Sequence, residues 1–120
     1  MAEETSVDTE LLGQFIEDAN QTLAPIDDLL AALAENPDNK DTVKEVFRIS
    51  HNIKGNSGYM NFLLTNKLAH TLENLLMLLR EKDGIYTAQI GEVLKQGFDE
   101  LKAMIERLKT SGPETLDQAA

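Results

Sequence analysis

The chain has 120 residues, with 21 Asp and Glu against 11 Lys and Arg, and a formal net charge of −10 at pH 7. This length predicts a single domain, and the absence of cysteine excludes disulfides, thiolate metal sites and a cysteine nucleophile. The acidity argues against nucleic acid and an anionic membrane as partners, and no stretch reaches the roughly 18 apolar residues of a membrane span.

The first predicted element is a long amphipathic helix over residues 8–34, with Asp8 or Thr9 as its N-cap. Apolar residues recur at three- and four-residue steps and acidic residues fill the other side, which is typical of a helix with one face in a core. Pro25 lies inside this segment and must either kink the helix or separate two helices. The apolar stripe continues in phase past Pro25, which favours one kinked helix.

Three further amphipathic helices follow. The second comes after a loop at residues 35–39 and continues to about Met60, the third covers about residues 64–81, and the fourth runs from near Thr87 to about Ser111. Four amphipathic helices joined by short loops predict an all-α fold, an antiparallel up-down four-helix bundle.

The ends of the chain carry less information. We assign residues 1–111 to the bundle and residues 112–120, which open with a Gly-Pro breaker, to a linker or tail, or to a short fifth helix. The first residues lack the basic region and apolar core of a secretory signal. A cytoplasmic location is therefore expected, for a chain that is part of something longer.

Negative charge is distributed unevenly. The first 35 residues hold nine acidic and no basic side chains, whereas the 27 residues from 46 to 72 contain no carboxylate. That carboxylate-free segment contains both histidines of the chain. Its composition predicts a site that avoids negative charge.

His51 is the strongest candidate for chemistry. On a helix, Lys54, Gly55 and Gly58 lie on the same face as His51. Helical side chains lean toward the N-terminus, so the residue that would cover His51 is Gly55, which has no side chain. Two glycines inside a helix lower its stability, and the pattern indicates stability given up for access. The alternative is a surface histidine beside glycines that allow close helix packing.

A second cluster contains His70 and Glu73. If the second and third helices form a hairpin that turns near Phe62, His51 lies 11 residues before the turn and Glu73 lies 11 after it. The two side chains then lie level across the pair, and a carboxylate bound to one imidazole nitrogen leaves the other as the nucleophile. His70 would project toward the same place.

A zinc site made of His51, His70 and Glu73 is the competing interpretation of this cluster. A segment without carboxylates that carries Lys54 suits a divalent cation poorly, so no metal is expected. The sequence contains no phosphate-binding loop and no kinase motif. Whether the chain is itself an enzyme stays open. If His51 is a nucleophile, a partner must supply the phosphoryl group.

These motifs resemble a known family. The pattern H-x-x-K-G-x-S-G at residues 51–58, preceded by Val-Phe-Arg at 46–48, is similar to that of histidine-containing phosphotransfer (HPt) domains. The later Leu-Ala-His-Thr-Leu-Glu-Asn-Leu-Leu at 68–76 is similar to the phosphotransfer domains of CheA-type chemotaxis histidine kinases, as is the loop at 35–38. The resemblance covers about residues 8–110.

The resemblance implies a role for each matching residue. His51 would be phosphorylated on its imidazole, Lys54 would neutralise the phosphate, Glu73 would hydrogen-bond His51, and His70 would assist from the same face. Gly55 would leave room for a partner. The partner surface would comprise Gly55, Gly58, Arg48 and Asn52.

The resemblance also implies the partners. A kinase catalytic domain, which binds ATP, would phosphorylate the histidine, and CheY- or CheB-like response regulators would receive the phosphoryl group on an aspartate. This chain would bind no cofactor and would be monomeric in isolation. A non-catalytic acidic helical module that binds a basic partner is the alternative function.

Two positions depart from the family pattern. Asn61 stands before Phe62 where the family usually has glycine, and asparagine tolerates the left-handed backbone conformation better than most residues. Tyr59 is bulkier than the small residue expected there. Either departure could alter the helix end or the choice of partner.

Overall fold

The described residues, 2–81 and 84–111, form five α-helices joined by turns and short loops, with no strand among them, in a computed structural model of the chain, which confirms the all-α prediction. The predicted N-caps Asp8 and Thr9 are wrong, because the first helix already begins at Ala2 and alanine and glutamate at residues 2–4 favour a helix start. Residues 112–120, with the predicted linker, lie outside the described residues. The helices are α1 Ala2–Leu23, α2 Ile26–Glu35, α3 Lys40–Tyr59, α4 Leu63–Arg80 and α5 Ala88–Ser111.

The bundle has four arms, of which the first consists of α1 and α2 and the others are α3, α4 and α5. Pro25 divides the first arm into two helices, so the preference for one kinked helix is wrong. The amide of Ala24 turns back to the carbonyl of Gln21 at 3.3 Å, and the carbonyl of Pro25 accepts the first α2 bond from Leu29 at 3.0 Å. Proline has no N–H with which to continue the α1 ladder. The apolar stripe nevertheless stays in phase, since α1 and α2 both pack against α3 and α5.

The arms follow one another around the bundle. α3 packs against α4, α4 packs against α5, and α5 returns to α1 and α2. This order confirms the predicted four-helix bundle and places the α3–α4 face opposite the α2–α5 face. None of the helices in the described part of the chain is long and apolar enough to cross a membrane.

The core lies along the bundle axis and takes residues from every helix. Phe15 of α1 meets Phe62, just before α4, edge to face with ring centroids 5.1 Å apart, an arrangement that aromatic pairs favour. The largest core side chains that solvent barely reaches are Ile26, Leu33, Val43, Val46, Ile53, Leu76, Leu94, Phe98, Leu101 and Ile105.

A tight turn joins α3 to α4 and sets their relative level. The amide of Phe62 donates to the carbonyl of Ser57 at 2.9 Å, and the amide of Asn61 donates to that of Gly58 at 3.1 Å. This is the Schellman pattern, which requires a left-handed residue after the helix. Asn61 supplies it with φ 61°, so asparagine takes the position that the family pattern gives to glycine.

Lys40 fastens the other end of the same hairpin. Its ammonium donates to the carbonyl of Leu79 at 2.8 Å and to that of Gly84 at 3.1 Å. These carbonyls lie at and beyond the last turn of α4, where a cation is favoured. The α3–α4 pair is therefore tied at both ends, with the candidate site between the ties.

The left-handed conformation of Asn61 generates a stability prediction. Asn61→Val should lower the free energy of unfolding by about 1–2 kcal/mol, because a β-branched residue is strained there, whereas Asn61→Gly should not lower it. Urea denaturation followed by circular dichroism measures both variants. Since Asn61 is exposed, equal stability of the two variants would contradict a backbone origin.

Candidate functional site

His51 and Glu73 meet across the α3–α4 pair. The Nδ1–H of His51 donates a hydrogen bond to Oε2 of Glu73. The hairpin that was predicted to turn near Phe62 therefore brings together two side chains 22 residues apart in sequence. The two ends of this bond differ in exposure, because the His51 side chain is 58% accessible and that of Glu73 only 4%.

Glu73 is a buried carboxylate with both oxygens engaged. While Oε2 accepts from His51, Oε1 accepts from the ammonium of Lys54 at 3.0 Å. Burial raises the pKa of the Glu73 carboxyl, but the hydrogen bonds from His51 and Lys54 and the Lys54 charge outweigh burial and hold that pKa below its usual range. Glu73 is therefore ionised at neutral pH and fixes the two side chains of α3.

The bond to Glu73 determines the chemistry of the imidazole. An ionised carboxylate can only accept, so Nδ1 carries the proton and Nε2 of the neutral ring keeps its lone pair. Nε2 has no hydrogen-bond partner among the described residues. The site thus presents a nucleophilic nitrogen to solvent and holds a carboxylate behind the ring to stabilise positive charge.

The two glycines after His51 serve different purposes. A Cβ added at Gly55 would meet no atom within 4 Å, so Gly55 leaves open space beside His51. A Cβ at Gly58 would lie 3.1 Å from Nδ2 of Asn66, which donates to the carbonyl of Lys54 at 2.7 Å. Gly55 therefore clears the surface, and Gly58 permits the close packing that the alternative interpretation proposed.

The remaining predicted residues lie near the site without joining its hydrogen bonds. His70 is exposed on α4, one turn before Glu73, and its ring has no hydrogen bond within the described ranges. Asn52 is also exposed, and Arg48 forms a loose surface pair with Glu45 at 3.5 Å.

The described residues contain no group of three or more side chains suited to a metal ion. Both carboxylate oxygens of Glu73 already accept hydrogen bonds, from His51 and Lys54, and the positive charge of the Lys54 ammonium repels a metal cation. This arrangement opposes a cation.

Three contacts near the site were missed by the sequence analysis. They are the Asn66 bond to the Lys54 carbonyl, the Phe47 ring stacked on His51, and the Arg80 guanidinium over Phe47. Phe47 could have been found from its position one turn before His51 on the same helical face. Asn66 and Arg80 depend on the level of α4 relative to α3, which the pattern of apolar residues does not specify.

The geometry and the sequence pattern both point to a phosphotransfer domain, and comparison with known families agrees. The sequence model described as "Hpt domain" matches residues 10–111. Because this match covers most of the chain, the chain belongs to the Hpt domain family. The resemblance predicted from the motifs is confirmed.

The relatives narrow the family to CheA-type proteins. The chain is 27% identical over 106 residues to the sensor histidine kinase CheAY of Helicobacter pylori. The matched region covers 88% of this chain but only 13% of that protein. It is 32% identical to the CheA phosphotransferase domain from Thermotoga maritima, with a TM-score of 0.79 over 84% of this chain and 96% of that one.

A second solved structure resembles this chain about as closely as the Thermotoga maritima domain does. It is the phosphorylated P1 domain of CheA3 in complex with CheY6 from R. sphaeroides, 30% identical, with a TM-score of 0.78 over 88% of this chain and 83% of that one. These similarities identify the phosphotransfer domain of a CheA-type kinase as the class to which this chain corresponds.

The lowered pKa of Glu73 predicts a specific pH dependence of stability. A carboxyl whose pKa is lower in the folded state stabilises the fold above its unfolded pKa, about 4.3, and that contribution is lost as the pH falls through the folded pKa. The wild type should therefore lose stability relative to Glu73→Gln on acidification below about pH 5. Unfolding free energies of both proteins at several pH values measure this difference.

Asp27 provides a matched control. Its hydrogen bond from Lys102, at 2.8 Å, also lowers the pKa of its carboxyl, but its side chain is 63% accessible. Solvent screens such an exposed pair, so Asp27→Asn should alter the pH dependence much less than Glu73→Gln. Equal effects of the two substitutions would contradict a special role for the buried carboxylate.

Proposed function

We propose that His51 is a phosphoryl carrier. Nε2 receives the γ-phosphoryl group of ATP bound by a separate kinase catalytic domain and passes it to an aspartate of a CheY- or CheB-like response regulator. The observation that carries this proposal is the exposed His51 ring, held by its Nδ1–H on buried Glu73 beside the open space at Gly55. The chain itself binds no cofactor in this scheme.

The chemistry consists of two displacements at phosphorus. In the first, the Nε2 lone pair forms the N–P bond while the bond from the γ-phosphorus to the bridging oxygen breaks, and ADP leaves with that electron pair. In the second, a carboxylate oxygen of the regulator forms a P–O bond while the N–P bond breaks and its electron pair returns to Nε2. Each step transfers one phosphoryl group, and Nδ1 keeps its proton throughout.

Glu73 supports the first displacement, and Lys54 supports both. The imidazole becomes positive when Nε2 binds phosphorus, and the carboxylate on Nδ1–H stabilises that charge. The Lys54 ammonium, 28% accessible at the edge of the site, neutralises the phosphoryl oxygens. His70 is exposed one turn before Glu73, and in this proposal it assists from the same face.

The partner surface is the α3–α4 face around His51. Gly55, Gly58, Arg48 and Asn52 are all exposed and lie within the carboxylate-free segment 46–72. The related complex of a phosphorylated CheA3 domain with CheY6 supports a response regulator as the acceptor. Both partners must leave after each transfer, so we expect small, transient interfaces and a domain that acts as a monomer.

A direct labelling experiment tests this function. The chain is incubated with the kinase core of a CheA-type kinase and ATP labelled in its γ-phosphate, and acid-labile, base-stable label should appear on the wild type but not on His51→Gln. Label that persists in His51→Gln would contradict the carrier role. A wild type that takes up no label would favour the acidic interaction module.

Access at Gly55 provides a second test. Gly55→Leu should leave the bundle intact, since the added side chain projects into open space, and should gain about 1 kcal/mol of helix stability. It should nevertheless block phosphorylation by the kinase core, because the new side chain covers His51. Thermal unfolding and labelling rates measure the two effects.

Gly13 offers a matched control on α1. A Cβ added there also meets no atom within 4 Å, so Gly13→Leu should gain similar helix stability and keep the labelling rate of the wild type. Full phosphorylation of Gly55→Leu would show that the cleared surface is unnecessary.

A further inference from the structure

The ring of His51 makes a second contact, with the ring of Phe47, that has no role in the phosphoryl transfer proposed above. Its plane lies within 12° of that of Phe47, with ring centroids 6.0 Å apart. Phe47 precedes His51 by one helical turn, and the N-terminal lean of helical side chains brings the imidazole toward it. Phe47 is half-buried and packs against the core, so it presents a fixed aromatic surface to a more exposed ring.

Arg80 contacts the same phenyl ring. Its guanidinium carbon lies 4.5 Å from the Phe47 centroid, within the range of a cation–π interaction. Arg80 is the last residue of α4, and the antiparallel pairing places that end beside the first half of α3. Phe47 is therefore contacted by His51 from its own helix and by Arg80 from the neighbouring one.

These contacts restrict the plane of the His51 ring, which the hydrogen bond to Glu73 does not do alone. One hydrogen bond at Nδ1 tolerates a range of angles, so the ring, which is joined to the helix at Cβ, can still rotate to a limited extent about its Cβ–Cγ bond. The Nε2 lone pair lies in the ring plane, so such rotation swings it away from a phosphorus atom held by a partner. In-line displacement depends on this alignment. A nearly parallel aromatic surface restricts the plane itself.

We propose that Phe47 is a positioning residue for phosphoryl transfer at His51, and that Arg80 holds the Phe47 ring in place. Glu73 thus sets where the imidazole lies and Phe47 sets its plane. The proposal rests on the proposed phosphocarrier function for its kinetic consequence, whereas the orientation of the ring can be tested without it.

The experiment compares Phe47→Leu, which keeps apolar volume but removes the ring, with Phe47→Tyr, which keeps the ring. With the CheA-type kinase core and ATP, Phe47→Leu should lower the kcat for phosphorylation of the chain about three- to tenfold with little change in KM. Phe47→Tyr should keep most of the wild-type kcat. Arg80→Gln should lower kcat by a smaller factor, and Arg107→Gln, which alters an exposed pair on α5, should not.

Nuclear magnetic resonance reads the ring orientation directly. Contacts between the ring protons of residues 47 and 51 should be present in the wild type, and the His51 side-chain torsions should become averaged in Phe47→Leu. Circular dichroism checks that each variant remains folded. If Phe47→Leu does not fold, Arg80→Gln carries the test, with weakened ring contacts and a lower kcat expected.

The outcomes separate the two proposals. A wild-type kcat in Phe47→Leu, or a change confined to KM, would overturn the positioning role and leave the phosphocarrier function intact. Unchanged His51 torsions in Phe47→Leu would overturn it as well. Absence of label on the wild type would overturn the phosphocarrier function and with it the kinetic role of Phe47, whereas averaged torsions in Phe47→Leu would still support a ring held by Phe47.

Discussion

The buried carboxylate of Glu73 is the constraint on which the rest of the site depends. An ionised carboxylate in a protein interior costs several kcal/mol unless it is paired, and only His51 and Lys54 pair with this one among the described side chains. Both lie on α3, three residues apart, so α3 and α4 must keep one relative level. The Schellman turn at Asn61 and the Lys40 bonds to the end of α4 hold that level at the two ends of the hairpin.

The second half of α3 gives up helix stability in two places, for two different reasons. Each glycine costs about 1 kcal/mol relative to alanine. Gly58 allows Asn66 to approach and bind the Lys54 carbonyl, which strengthens the contact with α4. Gly55 permits no comparable contact within the described part of the domain, because the space above its Cα is open. The proposed docking of a kinase domain and a response regulator at this surface would account for that cost.

Apolar periodicity and turn chemistry were sufficient to predict four amphipathic arms and the pairing of His51 with Glu73, because equal distances from the turn at Phe62 place them level. Periodicity could not show whether Pro25 kinks or breaks the arm, since the apolar stripe is in phase either way. It also missed Asn66, Phe47 and Arg80, whose contacts depend on the relative height and rotation of α3 and α4. Side-chain packing across the pair sets these quantities.

The short α3–α4 connection also has a consequence for how the site assembles during folding. Within the described residues, the hydrogen bonds, ion pairs and ring contact of His51 and Glu73 all join residues of this one hairpin, with a sequence separation of 22 between His51 and Glu73. Closing a short loop costs little chain entropy, and local contacts form early. The proposed phosphoryl-accepting site can therefore take shape before α1, α2 and α5 complete the bundle.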